Sequence, residues 1–150
     1  MPGFVYPYAM RGFATRQEDW SAFTYKFTFV NAGYIPAANH QFASAFSNYE
    51  LSSISFTAHF SGTMRQALTS QEVSLNFTSF QVENYASLVS YKGLSAGTID
   101  AYIILRESGT DALSPLIVYF SGGDFPFATN AGDVVVTFAN SGVFVMRRPL

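Results

Sequence analysis

The 150-residue chain contains no cysteine. That excludes a disulfide scaffold, a cysteine nucleophile and a zinc site built on thiolates. Charge is scarce too. Charged residues make up 12% of the chain, against about 25% in an average globular protein. Eight basic residues face ten acidic ones, for a formal net charge of −2. The basic stripe that tracks a phosphate backbone is missing, so nucleic acid is not an expected partner. No apolar run is long enough to cross a bilayer as a helix, and no membrane association is expected. The first residues, Met1 to Arg11, lack a basic segment followed by an apolar one, so no signal peptide is expected.

Aromatic residues are plentiful, with 16 Phe and 9 Tyr, 17% of the chain with its one Trp. Few charges and many rings describe an ordered chain. Its length favours one domain that buries roughly 68–70% of its unfolded surface. Soluble monomers generally rely on charge to stay apart. Two readings of this composition stay open. Either the chain spends its life in contact with others, or an aromatic core sits under a Ser/Thr/Asn surface.

Residues 1–16 read as an extended N-terminal arm. Pro2 and Pro7 fix φ and remove amide donors, and Gly3 and Gly12 loosen the backbone. Yet the segment carries Phe4, Tyr6, Tyr8 and Phe13. An apolar arm without helical periodicity needs a surface to lie on, its own domain or a neighbour. Residues 17–150 then form a single domain. In it Phe23, Tyr25, Phe27 and Phe29 alternate with Thr24, Lys26 and Thr28, the period of a half-buried strand. Phe42, Phe46 and Tyr49 recur at helical spacing and predict one short helix. Ile54–Phe60 and Val73–Phe77 alternate as further strands. Thr98–Leu105 is nearly continuous in apolar character, as a strand buried on both faces would be. Pro115 opens Leu116–Phe120, where a first-position proline is tolerated. Val134–Phe138 and Val143–Met146 flank an Asn140-Ser141-Gly142 turn. About seven strands with at most one short helix predict an all-β fold, a single antiparallel β-sandwich of jelly-roll or immunoglobulin-like form.

No catalytic constellation stands out. The two histidines, His40 and His59, have no Gly-x-Ser-x-Gly elbow beside them. Most of the acids fall in predicted turns, where Asp has a structural use. No calcium loop, phosphate-binding loop or dinucleotide fingerprint is present. No enzyme activity, cofactor or metal is expected. Asn76-Phe77-Thr78 matches a glycosylation triplet, as chance allows in a Ser/Thr-rich chain. Arg147 and Arg148 are the one basic pair. They are either solvated or matched to acids on a neighbour.

Three stretches resemble a family of small tailed-bacteriophage virion proteins: TYKFTFVNAGYIPAANHQFASAF (Thr24–Phe46), AYIILRESGTDALSPLIVYFSGGDFPF (Ala101–Phe127) and NAGDVVVTFANSGVFVM (Asn130–Met146). The resemblance implies a β-sandwich component of the phage particle, made in the host cytoplasm and residing in the virion. It implies a capsid decoration or cement protein, or else a tail or head–tail connector component, and carries over no catalytic residue. The expected partners are the major capsid protein or another virion protein, with a symmetric homo-oligomer matching its site. The expected contact residues are Phe4, Tyr6, Pro7 and Tyr8 of the arm, with Arg147 and Arg148. A reading of another class is a carbohydrate-binding host-attachment module, with Trp20 and the tyrosines stacking on sugars.

Overall fold

The structure, a computed structural model, describes residues 3–50, 65–91, 94, 97–130 and 132–147. The strand expected over Ile54–Phe60, with His59, lies outside the described residues, as does Arg148.

In chain order the elements are β1 (Gly3–Val5), α1 (Pro7–Ala14), β2 (Tyr25–Val30), β3 (Gln66–Ala67), β4 (Glu72–Asn76), β5 (Gln81–Tyr85), β6 (Val89–Tyr91), β7 (Gly97–Ile99), β8 (Ala101–Arg106), β9 (Leu116–Phe120), β10 (Phe127–Thr129), β11 (Val134–Val136) and β12 (Phe144–Arg147). The fold is all-β; the described residues hold one short α-helix, and the strand pairings among them are antiparallel. Where a helix was expected after Phe42, two single 3₁₀ turns stand at Ala43–Ala45 and Ser47–Tyr49. The serines and asparagine there favour local turns over a continuous helix.

The main sheet has the order β1-β9-β8-β2-β3. Its register sets Phe29 opposite Tyr102, and Tyr102 opposite Phe120. One face therefore carries Tyr25, Phe27, Phe29, Tyr102 and Phe120, because strand side chains alternate. The smaller sheets lay their rings on this face. Tyr91 of β6 stands 4.9 Å from Phe29, and Phe127 of β10 stands 6.3 Å from it. Trp20 packs edge-on against Phe144 of β12 at 5.0 Å. The opposite face is covered by the N-terminal segment and the loop through Tyr34, whose ring meets Tyr119 at 6.0 Å. Ala101 to Leu105 are accordingly all buried, as their unbroken apolar run predicts.

The N-terminal segment departs from the expected extended arm. Gly3–Val5 is an edge strand on β9, and Pro7–Ala14 is a helix. Pro7 occupies the first helical turn, where no intrahelical amide is required and its fixed φ suits the helix. Ala9, Gly12 and Phe13 then share one stripe, at helical spacing, that faces the core. Gly12 is needed there, since a Cβ would stand 2.6 Å from Glu18 Cγ. Tyr6 and Ala9 belong to the same core cluster as the sheet, so residues 3–16 are part of the domain and not an appendage.

β5 lies between β12 and β4 in a three-stranded sheet. The β4–β5 hairpin turns through Phe77–Phe80 and projects. Val73 and Leu75 of β4 are exposed, where alternation predicted a half-buried strand. An outermost strand has partners on one edge only, and among the described residues no strand pairs with the other edge of this one.

Candidate interaction surfaces

Of the four proposed contact residues of the N-terminal segment, one is buried, two are half-buried and one is exposed. Tyr6 is fully buried; its hydroxyl shares a hydrogen bond of 2.8 Å with that of Tyr34, which is 2.9 Å from His40 Nδ1. Burial, with the neighbouring Tyr34 and Tyr119 hydroxyls, pushes the Tyr6 pKa well above the ordinary tyrosine range. Phe4 is half-buried between Tyr6 and Tyr119. Tyr8 rests on Phe42, with the Arg11 guanidinium 5.1 Å over its ring. Pro7 alone of the four is exposed. Tyr6 therefore serves the fold and offers no ring to a neighbour, while Phe4 and Tyr8 keep part of their surface in solvent.

Two arginine clusters tie distant loops together. Arg65 donates to both oxygens of buried Glu50, at 2.8 and 3.0 Å, and to Asp111 at 2.7 Å. Thr28 Oγ1 adds a 2.6 Å hydrogen bond to Glu50. Burial alone would lower the Arg65 pKa, but the Glu50 and Asp111 carboxylates outweigh it and push it up. Arg106 Nε meets Glu18 Oε1 at 2.8 Å, while the Tyr25 hydroxyl donates to Glu18 Oε2 at 2.8 Å. The Glu50 and Glu18 carboxylates are buried and satisfied by these partners, the arrangement of structural clamps.

The other chemically interesting residues are also engaged. His40 bonds a tyrosine hydroxyl, not a serine or a carboxylate. Trp20 is 1% exposed, and its Nε1 donates to the Tyr85 carbonyl at 2.7 Å. It offers no face to a sugar, which removes the ring on which a carbohydrate-stacking reading chiefly leaned. Glu83 accepts from Tyr85, Gln81 and Asn76, and these hydrogen bonds hold its carboxyl below the usual range. Among the described residues no three His, Asp or Glu side chains converge as metal ligands.

Part of the outward-facing surface is apolar. Phe77 is 79% exposed and Phe80 69%, at the tip of the β4–β5 hairpin. Asn76 does turn work here: its Oδ1 accepts from the amides of Thr78 and Ser79, each at 3.1 Å. The triplet that reads as a glycosylation match is thus a local cap. Phe80 has φ +54°, the left-handed region that glycine and asparagine favour. Arg147, the described member of the basic pair, sits opposite Gln81 and donates to its Oε1 at 3.0 Å. That places a cation beside the exposed rings.

A groove of about 450 Å³ lies elsewhere on the surface, lined by Tyr102, Phe120, Phe125, Phe127 and Phe138, with Val135 and Asp124 among its other walls. Gly142 and Val143, which lead into β12, also border it. Gly142 has φ +98°, and a Cβ there would strike the Asn84 carbonyl at 2.5 Å, so the turn requires glycine. The groove is open where the short β10 and β11 segments cover only part of the sheet. Comparison with protein-family models, curated proteins and solved structures finds no match for this chain.

Proposed function

We propose that this chain is a structural protein of a tailed-phage particle, a capsid decoration or cement protein that binds across seams between capsomers. The observation that carries the reading is the pair of solvent-facing rings, Phe77 and Phe80, on a surface with few charges. Rings placed at a strained turn, where a small polar residue is cheaper, favour a surface meant to be covered. The resemblance of Thr24–Phe46, Ala101–Phe127 and Asn130–Met146 to virion proteins supports the same reading.

The mechanism is physical. A protein that binds the assembled shell more tightly than free subunits stabilises the shell by mass action. Repetition over many equivalent sites adds avidity. The all-β body, with one larger sheet and several smaller ones, acts as the brace. The test is a phage lacking this protein, heated with and without the purified chain added back. The expected result is loss of heat resistance, restored by the added protein. Particles equally resistant without it, and unable to bind it, would overturn the reading. Binding to tails instead of heads would favour a tail or connector component.

A further inference from the structure

We propose that the chain binds a second copy of itself head to tail, the Phe77–Phe80 turn of one molecule seating in the Phe120/Phe125/Phe127 groove of the next. The proposal rests on the assembly part of the functional reading and not on the location of the chain in a capsid.

The first argument is placement. β12 runs between the two features. Its leading residues Gly142 and Val143 border the groove, and its last strand residue, Arg147, pairs with Gln81 at the foot of the exposed turn. Knob and groove thus stand at opposite ends of one strand, and a molecule's own turn does not fill its own groove. A self-complementary pair of different patches gives a heterologous contact, which builds rings or open chains.

The second argument is charge. Arg147 flanks the knob, and exposed Asp124 stands on the groove wall. Seating the rings brings a cation towards an anion, which steers encounter and fixes orientation. Phe77 and Phe80 carry the apolar part. Aromatic side chains bury roughly 150–250 Å² each, so the knob offers a few hundred Å². That falls below the roughly 800 Å² per partner of a stable pair. The contact is therefore weak alone and cumulative when subunits are held in an array.

Sedimentation velocity of the purified chain, from micromolar to millimolar, tests this. Wild type is expected to self-associate reversibly. Asp124→Arg and Arg147→Glu each weaken it, by roughly tenfold for a change of about 1.4 kcal/mol, and the two changes in one chain restore it. A knob-less variant, Phe77→Ser/Phe80→Ser, and a groove-blocked variant, Val135→Glu, are each expected to stay monomeric. Their mixture is expected to form one-to-one pairs and stop there, since only one productive contact remains. Circular dichroism checks that each variant folds. If Val135→Glu does not, the two exposed charge variants carry the test. Association that persists in the knob-less variant, as edge-to-edge pairing of β4 would, overturns the proposal. So does wild type that is monomeric at millimolar concentration. Should such a monomer still protect shells from heat, the head-to-tail contact falls and the capsid reading stands.

Discussion

Replacing Phe80 by Asn is expected to make the folded molecule more stable while it loses self-association. Phe80 sits at φ +54° with 69% of its surface exposed. The left-handed conformation costs an ordinary L-residue roughly 1–2 kcal/mol, and asparagine tolerates it better. The exposed ring has little burial to lose. The expected net gain is about 1 kcal/mol, which for a chain of this size raises the melting temperature by roughly 2–4 °C. Phe80→Ala separates ring from backbone. It keeps the backbone cost and removes the ring, so stability stays close to wild type while association is lost. Urea unfolding and sedimentation on the same preparations give both quantities. A loss of more than about 1 kcal/mol in Phe80→Ala would mean that the ring is packed within its own molecule, and the reasoning would fail.

Three further outcomes follow from the buried polar groups. Arg65→Met leaves the Glu50 carboxylate buried without its bidentate partner, and breaking such a pair costs about 3–5 kcal/mol. Adding Glu50→Gln recovers a large part, read as a coupling in denaturant unfolding. Glu83 has a folded pKa held below its ordinary value of 4.5, so its contribution is present above that pH and is lost as pH falls through the lower folded value. Wild type is expected to lose stability on acidification through this window more steeply than Glu83→Gln, in melts at stepped pH. Tyr6, Tyr91 and Tyr102 have folded pKa values raised, chiefly by burial, above the ordinary 10.0. Their stabilising contribution is present below pH 10 and declines above it as the unfolded chain ionises, by about 1.4 kcal/mol per pH unit for each tyrosine. Alkaline unfolding followed by tyrosinate absorbance checks this, and Tyr102→Phe shallows the slope.

The sheet strands were legible because burial leaves a plain pattern. Tyr25, Phe27 and Phe29 alternate and Ala101–Leu105 do not; both segments are strands, but β2 is buried beyond the half that its alternation predicted, since Thr28 and Val30 on its other face are buried too. β5 escaped notice because Glu83 and Asn84, on its two faces, are both buried, Glu83 held by Tyr85 and Gln81 and Asn84 by the Phe144 carbonyl. Polar residues in buried positions erase the period-two signal. The helix at Pro7–Ala14 was hidden by reading Pro7 as a breaker, when at the first turn it is a starter. The exposed turn was the hardest feature to foresee. Val73, Leu75 and Phe77 alternate like any half-buried strand, but Val73 and Leu75 stand exposed on the outermost strand β4 and Phe77 in the turn that follows it. Edge position depends on long-range pairing, which local periodicity does not encode. Asn76 was the available clue, since a side-chain cap marks a turn and sets the following phenylalanines at its tip.

Electron microscopy of purified particles, with this chain carrying a dense label at the exposed Gly109 position, addresses the central claim most directly. The account predicts label on the shell, repeated at seams between capsomers with the symmetry of the head. Label confined to the tail would contradict the capsid assignment, and particles without any label would contradict a structural role in the virion altogether.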